Sequence, residues 1–171
     1  MTRWLSAAED TAWRAYIEGS LRLNARIDAD LQASAGLTTA DYQVLVFLSE
    51  APQGRLRLHE LADRLAFSPS RLTYQLARME RKGLVGREPC LDDRRGSYAL
   101  ITAKGRELLG RAAEAHVASV RAHLLDLLDP EEIRQLGRSF SRIRAHLDLP
   151  SHDPSPVARV AFGAAPSGVD G

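Results

Sequence analysis

The chain has 171 residues, of which 44% are hydrophobic and 26% charged, with a formal net charge of +1. This composition suits one soluble domain and excludes a bilayer span, because no apolar run approaches the roughly 20 residues that crossing a membrane requires. The single cysteine, Cys90, excludes an internal disulfide framework; with neither the basic start nor the apolar stretch of a secretory leader, a cytoplasmic protein with a reduced thiol is expected.

Ser6 followed by Glu9 has capping-box spacing and predicts a first helix to about Ala33, with Trp13, Tyr16, Ile17, Leu21, Ile27 and Leu31 as its apolar surface. Thr38 with Asp41 opens a second helix, which carries Tyr42, Leu45, Val46 and Leu48 and breaks at Ala51-Pro52. A loop containing Gly54 leads to a short strand, Leu56-Arg57-Leu58, expected to pair with a hairpin further along. From Glu60 a short helix and a turn precede Ser68-Pro69-Ser70, where a serine cap and a proline at the first helical position start a basic helix that ends near Gly83. On its wheel Leu72, Leu76 and Met79 form one narrow stripe, while Ser70, Arg71, Tyr74, Arg78 and Arg81 lie opposite. The first set packs; the second is free to touch something anionic.

Leu84 and Val85 then open a strand, and Tyr98 to Thr102 form a second one rich in apolar and β-branched residues. Between them Cys90-Leu91-Asp92-Asp93-Arg94-Arg95-Gly96 reads as a hairpin tip, able to place a guanidinium in a minor groove while an acid orients it. From Arg55 to Arg95 ten basic residues face six acids, a net of +4, whereas the remainder holds 13 basic and 16 acidic residues, a net of −3. Positive charge is therefore concentrated where phosphates would be met. A helix is predicted from about Ala103 to Leu128, and Asp129-Pro130-Glu131-Glu132 caps another. In that last helix Ile133, Leu136, Phe140, Ile143 and Leu147 recur at three- and four-residue steps, a seam suited to a second helix. From Pro150 the chain turns to Ser, Pro, Ala and Gly, and a disordered tail is expected over residues 150–171.

Taken together, Leu58-His59-Glu60-Leu61-Ala62, Ser68-Pro69-Ser70-Arg71-Leu72-Thr73, Glu80-Arg81-Lys82-Gly83-Leu84-Val85, and Asp93-Arg94-Arg95 with Leu100-Ile101-Thr102 resemble the DNA-binding core of the MarR family of transcriptional regulators. The resemblance covers about residues 5–147. It implies a mainly α fold with a small β-wing: a winged helix-turn-helix lobe at about 38–102, and dimerisation helices at about 5–33 and 103–147, within one domain over residues 1–149. It further implies a homodimeric repressor bound to double-stranded DNA at a palindromic operator, one helix of each subunit in the major groove and each wing in the minor groove. The residues assigned to DNA are Ser68, Ser70, Arg71, Thr73, Tyr74, Gln75, Arg78 and Arg81 on the helix, with Asp93, Arg94 and Arg95 in the wing. Family members often carry a basic residue where this chain has Tyr74.

The dimer contact is assigned to Ile133, Leu136, Phe140, Ile143 and Leu147. The family also implies a small aromatic or amphipathic effector, for which Trp13, Arg14, Tyr16, Tyr42 and His59 are the candidates; aromatic residues on a first helix serve equally as core, and the sequence does not separate a ligand-responsive repressor from a constitutive regulator. Cys90 has no resolving partner in the chain and reads as a structural thiol. His116 and His123 stand seven residues apart, but no Cys is near and three or four convergent ligands are lacking, so no metal or other cofactor is assigned. No phosphate-cradling glycine loop or activated nucleophile marks an enzyme. A winged-helix adaptor without DNA binding is the remaining alternative, against which the basic helix face and wing arginines argue.

Overall fold

The computed structural model describes residues 2–90 and 96–147, so the expected tip residues Asp93, Arg94 and Arg95 and the expected tail lie outside the described residues. The chain runs α1 (Ala7–Ala35), α2 (Thr39–Glu50), β1 (Arg55–Arg57), α3 (Leu58–Leu65), α4 (Pro69–Arg81), β2 (Val85–Pro89), β3 (Ser97–Ile101), α5 (Ala103–His123) and α6 (Pro130–His146). Three helix starts follow from side chains that answer orphan amides. Ser6 and Glu9 at α1, Thr38 and Asp41 at α2, and Asp129 and Glu132 at α6 each form a reciprocal pair of side chain to backbone hydrogen bonds. The chain leaves α1 through Gly36, whose φ of 65° is left-handed.

Two boundaries differ from the sequence expectation. The strand ends at Arg57 rather than Leu58, because Leu58 already begins α3. The helix expected to reach Leu128 stops at His123: Leu124 leaves helical geometry at φ −140°, a single 3₁₀ turn spans Leu125–Leu127, and Arg121 donates to Asp126 at 2.6 Å across the bend. Pro130 excludes helical geometry at Asp129, which is extended, so the α-helix has to unwind before that cap.

The three strands form an antiparallel sheet in the order β1-β3-β2, with Leu56 opposite Ala99 and Val85 opposite Ile101. These four residues turn inward and are buried, together with Leu37, Val44, Leu45 and Leu48 around α2, Leu61 of α3, and Leu72, Leu76 and Met79 of α4. By contrast α1 buries only Ile27 and Leu31, and α6 buries none of its residues. No helix among the described residues is long and apolar enough to cross a membrane.

α5 is joined to the lobe by a polar and a steric constraint. Thr102 caps α5 by accepting from the Gly105 amide at 3.0 Å, and its hydroxyl lies 2.8 Å from the Gly83 carbonyl, to which it donates. Further along α5, His116 packs its ring 4.4 Å from that of Tyr42. Burial there holds the imidazole below its ordinary pKa of 6.5; the folded chain prefers the neutral ring, so this site costs stability as pH falls through that value and the unfolded chain takes up the proton.

At Gly105 an added Cβ would stand 2.2 Å from the Leu84 carbonyl oxygen, so the backbone approach itself requires glycine. Helix propensity alone would make Gly105→Ala stabilising by about 1 kcal/mol; the clash reverses the sign, and the substitution is expected to cost about 1–3 kcal/mol in urea denaturation. Gly110→Ala in the same helix, where the new methyl meets nothing within 4 Å, should not lower stability.

Candidate nucleic-acid interface

The turn between α3 and α4 is made by two residues. Ala66 caps α3 at a left-handed φ of 51°, and the Phe67 amide donates to the Ala62 carbonyl at 2.9 Å. Ser68 then starts α4, its Oγ accepting from the Arg71 amide at 3.3 Å, with Pro69 at a position where no amide is missed. Thr73 donates back to the Pro69 carbonyl at 2.8 Å. A helix, a tight turn and a second helix with one exposed face is the geometry that lays a helix in a DNA groove.

The inner side of α4 is held by more than leucines. Asp41, fully buried at the start of α2, accepts from the Gln75 side-chain amide at 2.7 Å and from Arg78 Nη2 at 2.7 Å to each of its oxygens. The Thr38 amide adds a further bond at 3.1 Å. The assignment of Gln75 to DNA is corrected by this cluster, since Gln75 is buried; Arg78, 30% exposed, turns its Nη2 inward to balance a carboxylate that has no access to water. Sequence reading recognised Asp41 as a helix cap; nothing at the level of one helix wheel reveals that its other oxygen faces a second helix.

The outer side of α4 presents Ser70, Arg71, Thr73, Tyr74 and Arg81, all exposed, with Tyr74 70% accessible. The Arg71 guanidinium lies 3.8 Å from the centre of the Phe67 ring. Beside α4, Arg87 of β2 fixes the sheet to the helix, donating to the Thr73 carbonyl at 3.2 Å and pairing with Glu80 at 3.2 Å. On the outer face of the sheet Arg55 and Arg57 bracket the Tyr98 ring at 4.9 and 5.6 Å, and Lys104 extends the cationic surface beyond the end of α4, donating to the Lys82 carbonyl at 2.8 Å. None of Arg55, Arg57, Arg87 and Lys104 stood in the sequence assignment, although the local excess of positive charge pointed to the segment that holds most of them. Cys90 is buried at the base of the hairpin, where its amide donates to Gly96 at 2.9 Å.

The five effector candidates do not converge, which corrects the grouping. Trp13 and Arg14 line a cleft of about 540 Å³ on the outer side of α1 with Trp4, Leu5, Asp10, Ile17 and Glu18. Tyr16 stacks between Trp13 at 5.7 Å and Phe140 at 5.9 Å. Tyr42 is core, and His59 lines a separate cleft between α3, the start of α4 and the hairpin. The reason lies in their partners: Trp13 and Tyr16 share an exposed stripe of α1 that meets α6 at Phe140, whereas Tyr42 is buried against His116 of α5. Ile133, Phe140, Ile143 and Leu147 remain exposed along α6, with Leu136 half-buried beside them. His123 meets Asp30 at 3.2 Å rather than His116.

Comparison with known proteins follows from this geometry. The MarR family model matches residues 35–96. The structure is similar to the crystal structure of AbsC, a MarR family transcriptional regulator from Streptomyces coelicolor, at 44% identity and a TM-score of 0.79, covering 85% of this chain and 98% of that one. It is also similar to Sco3205, a MarR family transcriptional regulator from the same organism in complex with DNA, at 42% identity and a TM-score of 0.82, covering 88% and 94% of the two chains. Among sequence relatives, the HTH-type transcriptional repressor YetL of Bacillus subtilis (strain 168) is 27% identical over 119 residues, which are 68% of this chain and 71% of that protein.

Because the Asp41 cluster joins α4 to α2, removing the carboxylate leaves three donors, Gln75, Arg78 and the Thr38 amide, without their acceptor. Asp41→Ala is expected to destabilise the fold by about 3–5 kcal/mol. A double-mutant cycle with Arg78→Met should give a coupling of about 1 kcal/mol or more; a coupling near zero would remove the pair from its role as anchor.

Proposed function

The chain belongs to the MarR family of transcriptional regulators and is a DNA-binding regulator; from that premise we propose that it is a homodimeric repressor working in the cytoplasm on a palindromic or near-palindromic operator. In this reading each subunit lays α4 in a major groove and its hairpin in the flanking minor groove, with half-sites about one helical turn apart. The observation that carries it is the division of α4: apolar and anchoring side chains inside, and Ser70, Arg71, Tyr74 and Arg81 outside with positive charge concentrated around them. Repression, rather than activation, is supported by the likeness to the repressor YetL. The wing residues Arg94 and Arg95 belong to the same proposal, Arg95 for the minor groove with Asp93 orienting it, and Arg94 for phosphate.

The dimer is supported by what the single chain leaves uncovered. Phe140, Ile143 and Leu147 are 43%, 51% and 61% exposed on α6, and Phe140 adjoins Tyr16 of α1, so the first and last helices present a continuous apolar surface. An effector completes the proposal. The cleft lined by Trp4, Trp13 and Ile17 offers apolar walls, while its one cation, Arg14, is paired with Asp10 at 2.8 Å and Glu18 stands beside them, so the lining suits a small uncharged aromatic or amphipathic molecule rather than a carboxylate.

Binding to DNA flanking the chain's own coding region, followed by fluorescence anisotropy, is the direct test. If a dimer neutralises about six to ten phosphates, log affinity should fall against log salt with a slope of roughly −5 to −9. Tight binding with a nearly flat salt dependence would contradict a phosphate-anchored mode. For the dimer, replacing Phe140 and Ile143 by glutamate buries charge in an apolar contact and should cost several kcal/mol, about 3–5, of association. Sedimentation should then show monomer at low micromolar protein; a persisting dimer would move the interface elsewhere.

A further inference from the structure

The cations of α4 are held in two different ways, and the difference decides which of them is available to a base. Arg78 forms hydrogen bonds with Asp41, so its Nη2 donors are occupied. Arg71 instead lies over the face of Phe67, its guanidinium carbon 3.8 Å from the ring centre, and has no carboxylate partner among the described residues. An aromatic face restrains a guanidinium without using any of its five N–H donors, because the attraction acts through the ring quadrupole and not through a lone pair. Phe67 is itself fixed: its amide is bonded into the α3–α4 turn, and its ring is half-buried against the core. Arg71 occupies the third helical position after the Ser68 cap, in the N-terminal turn from which a recognition helix reaches base edges.

We propose that Phe67 is a positioning residue for sequence readout, presenting the Arg71 guanidinium as a preformed fork that reads one guanine of each half-site through O6 and N7, while Arg78 reads no base. This rests on the reading that α4 enters the major groove. The side-chain freedom that an unrestrained arginine would lose on binding is already reduced in the unbound protein, and the planar fork matches the guanine edge in two parallel hydrogen bonds. Tyr74, exposed one turn along, then contributes contacts tolerant of sequence.

The experiment uses the full chain. An operator is selected by the wild-type protein from a random duplex library, and each guanine is replaced in turn by another base and by 7-deazaguanine, which removes N7. Wild type should lose about 5- to 150-fold at one guanine per half-site on base replacement. Phe67→Leu should reduce that discrimination by about 2- to 5-fold with little change on random DNA, and Phe67→Tyr should restore it. Arg71→Met, which keeps an unbranched stem but removes every donor and leaves Phe67 untouched, should lose the response to 7-deazaguanine altogether. In an Arg71→Ala background Phe67→Leu should have no further effect on discrimination. Unaltered guanine discrimination by folded Phe67→Leu, or an equal loss on operator and random DNA, overturns the positioning role. If Phe67→Leu fails to fold by circular dichroism, a full response of Arg71→Met to 7-deazaguanine overturns the proposal and its absence supports it. A wild-type protein that selects no sequence at all defeats the groove reading itself, an outcome distinct from a wild type that discriminates and a Phe67 variant that does so equally well.

Discussion

A carboxylate with no access to water has to be matched by donors, and in this fold Asp41 is matched by α4, the helix proposed to meet DNA. Desolvating an ion costs several kcal/mol after relaxation, which the attraction to one partner offsets only when the remaining lone pairs are also satisfied. Asp41 accepts from the Thr38 amide, Gln75 and Arg78, so its partners come from its own helix cap and from α4. The pair is directional where leucine packing is not. Leu72, Leu76 and Met79 fix the distance of α4 from the core, but hydrogen bonds to one buried carboxylate fix its rotation about its own axis.

Rotation matters because the outward face is narrow. With Gln75 and Arg78 turned inward, the exposed set is Ser70, Arg71, Thr73, Tyr74 and Arg81, and a helix turned by one residue, about 100°, would bring the buried Leu72 and Gln75 outward in place of Ser70 and Thr73. The hairpin sheet is fixed to the same helix through Arg87, which bonds the Thr73 carbonyl and pairs with Glu80. The scaffold connects at the other end, where Thr102 and Gly105 bring the start of α5 against the backbone at Leu84.

How much of this is legible in sequence depends on the range of the interaction. The caps at Ser6, Thr38, Ser68 and Asp129 are local, each a side chain answering amides two or three residues away, and they place four helix starts correctly. The family motifs extend that reading to the fold and to DNA binding. What they do not give is the partner of a polar side chain thirty or more residues distant. Arg78 looks like one more cation on a basic face until Asp41 is seen beside it, and Tyr42 looks like a pocket residue until its ring is found buried against His116. The unwinding at Leu124 was hidden for another reason: a leucine-rich stretch satisfies helix periodicity whether or not the following cap permits the helix to continue.

Arg78 as an internal support and Arg71 as the proposed surface reader are distinguishable in the free protein and in the complex by nitrogen NMR of the arginine side chains. With selectively labelled arginine, Arg78 should give resolved, slowly rotating Nη signals that do not move when operator DNA is added, because its partner is Asp41 in both states. Arg71, whose donors are unused before binding, should shift and slow on complex formation. Displacement of the Arg78 signals by DNA, with those of Arg71 unmoved, would contradict the account at its centre.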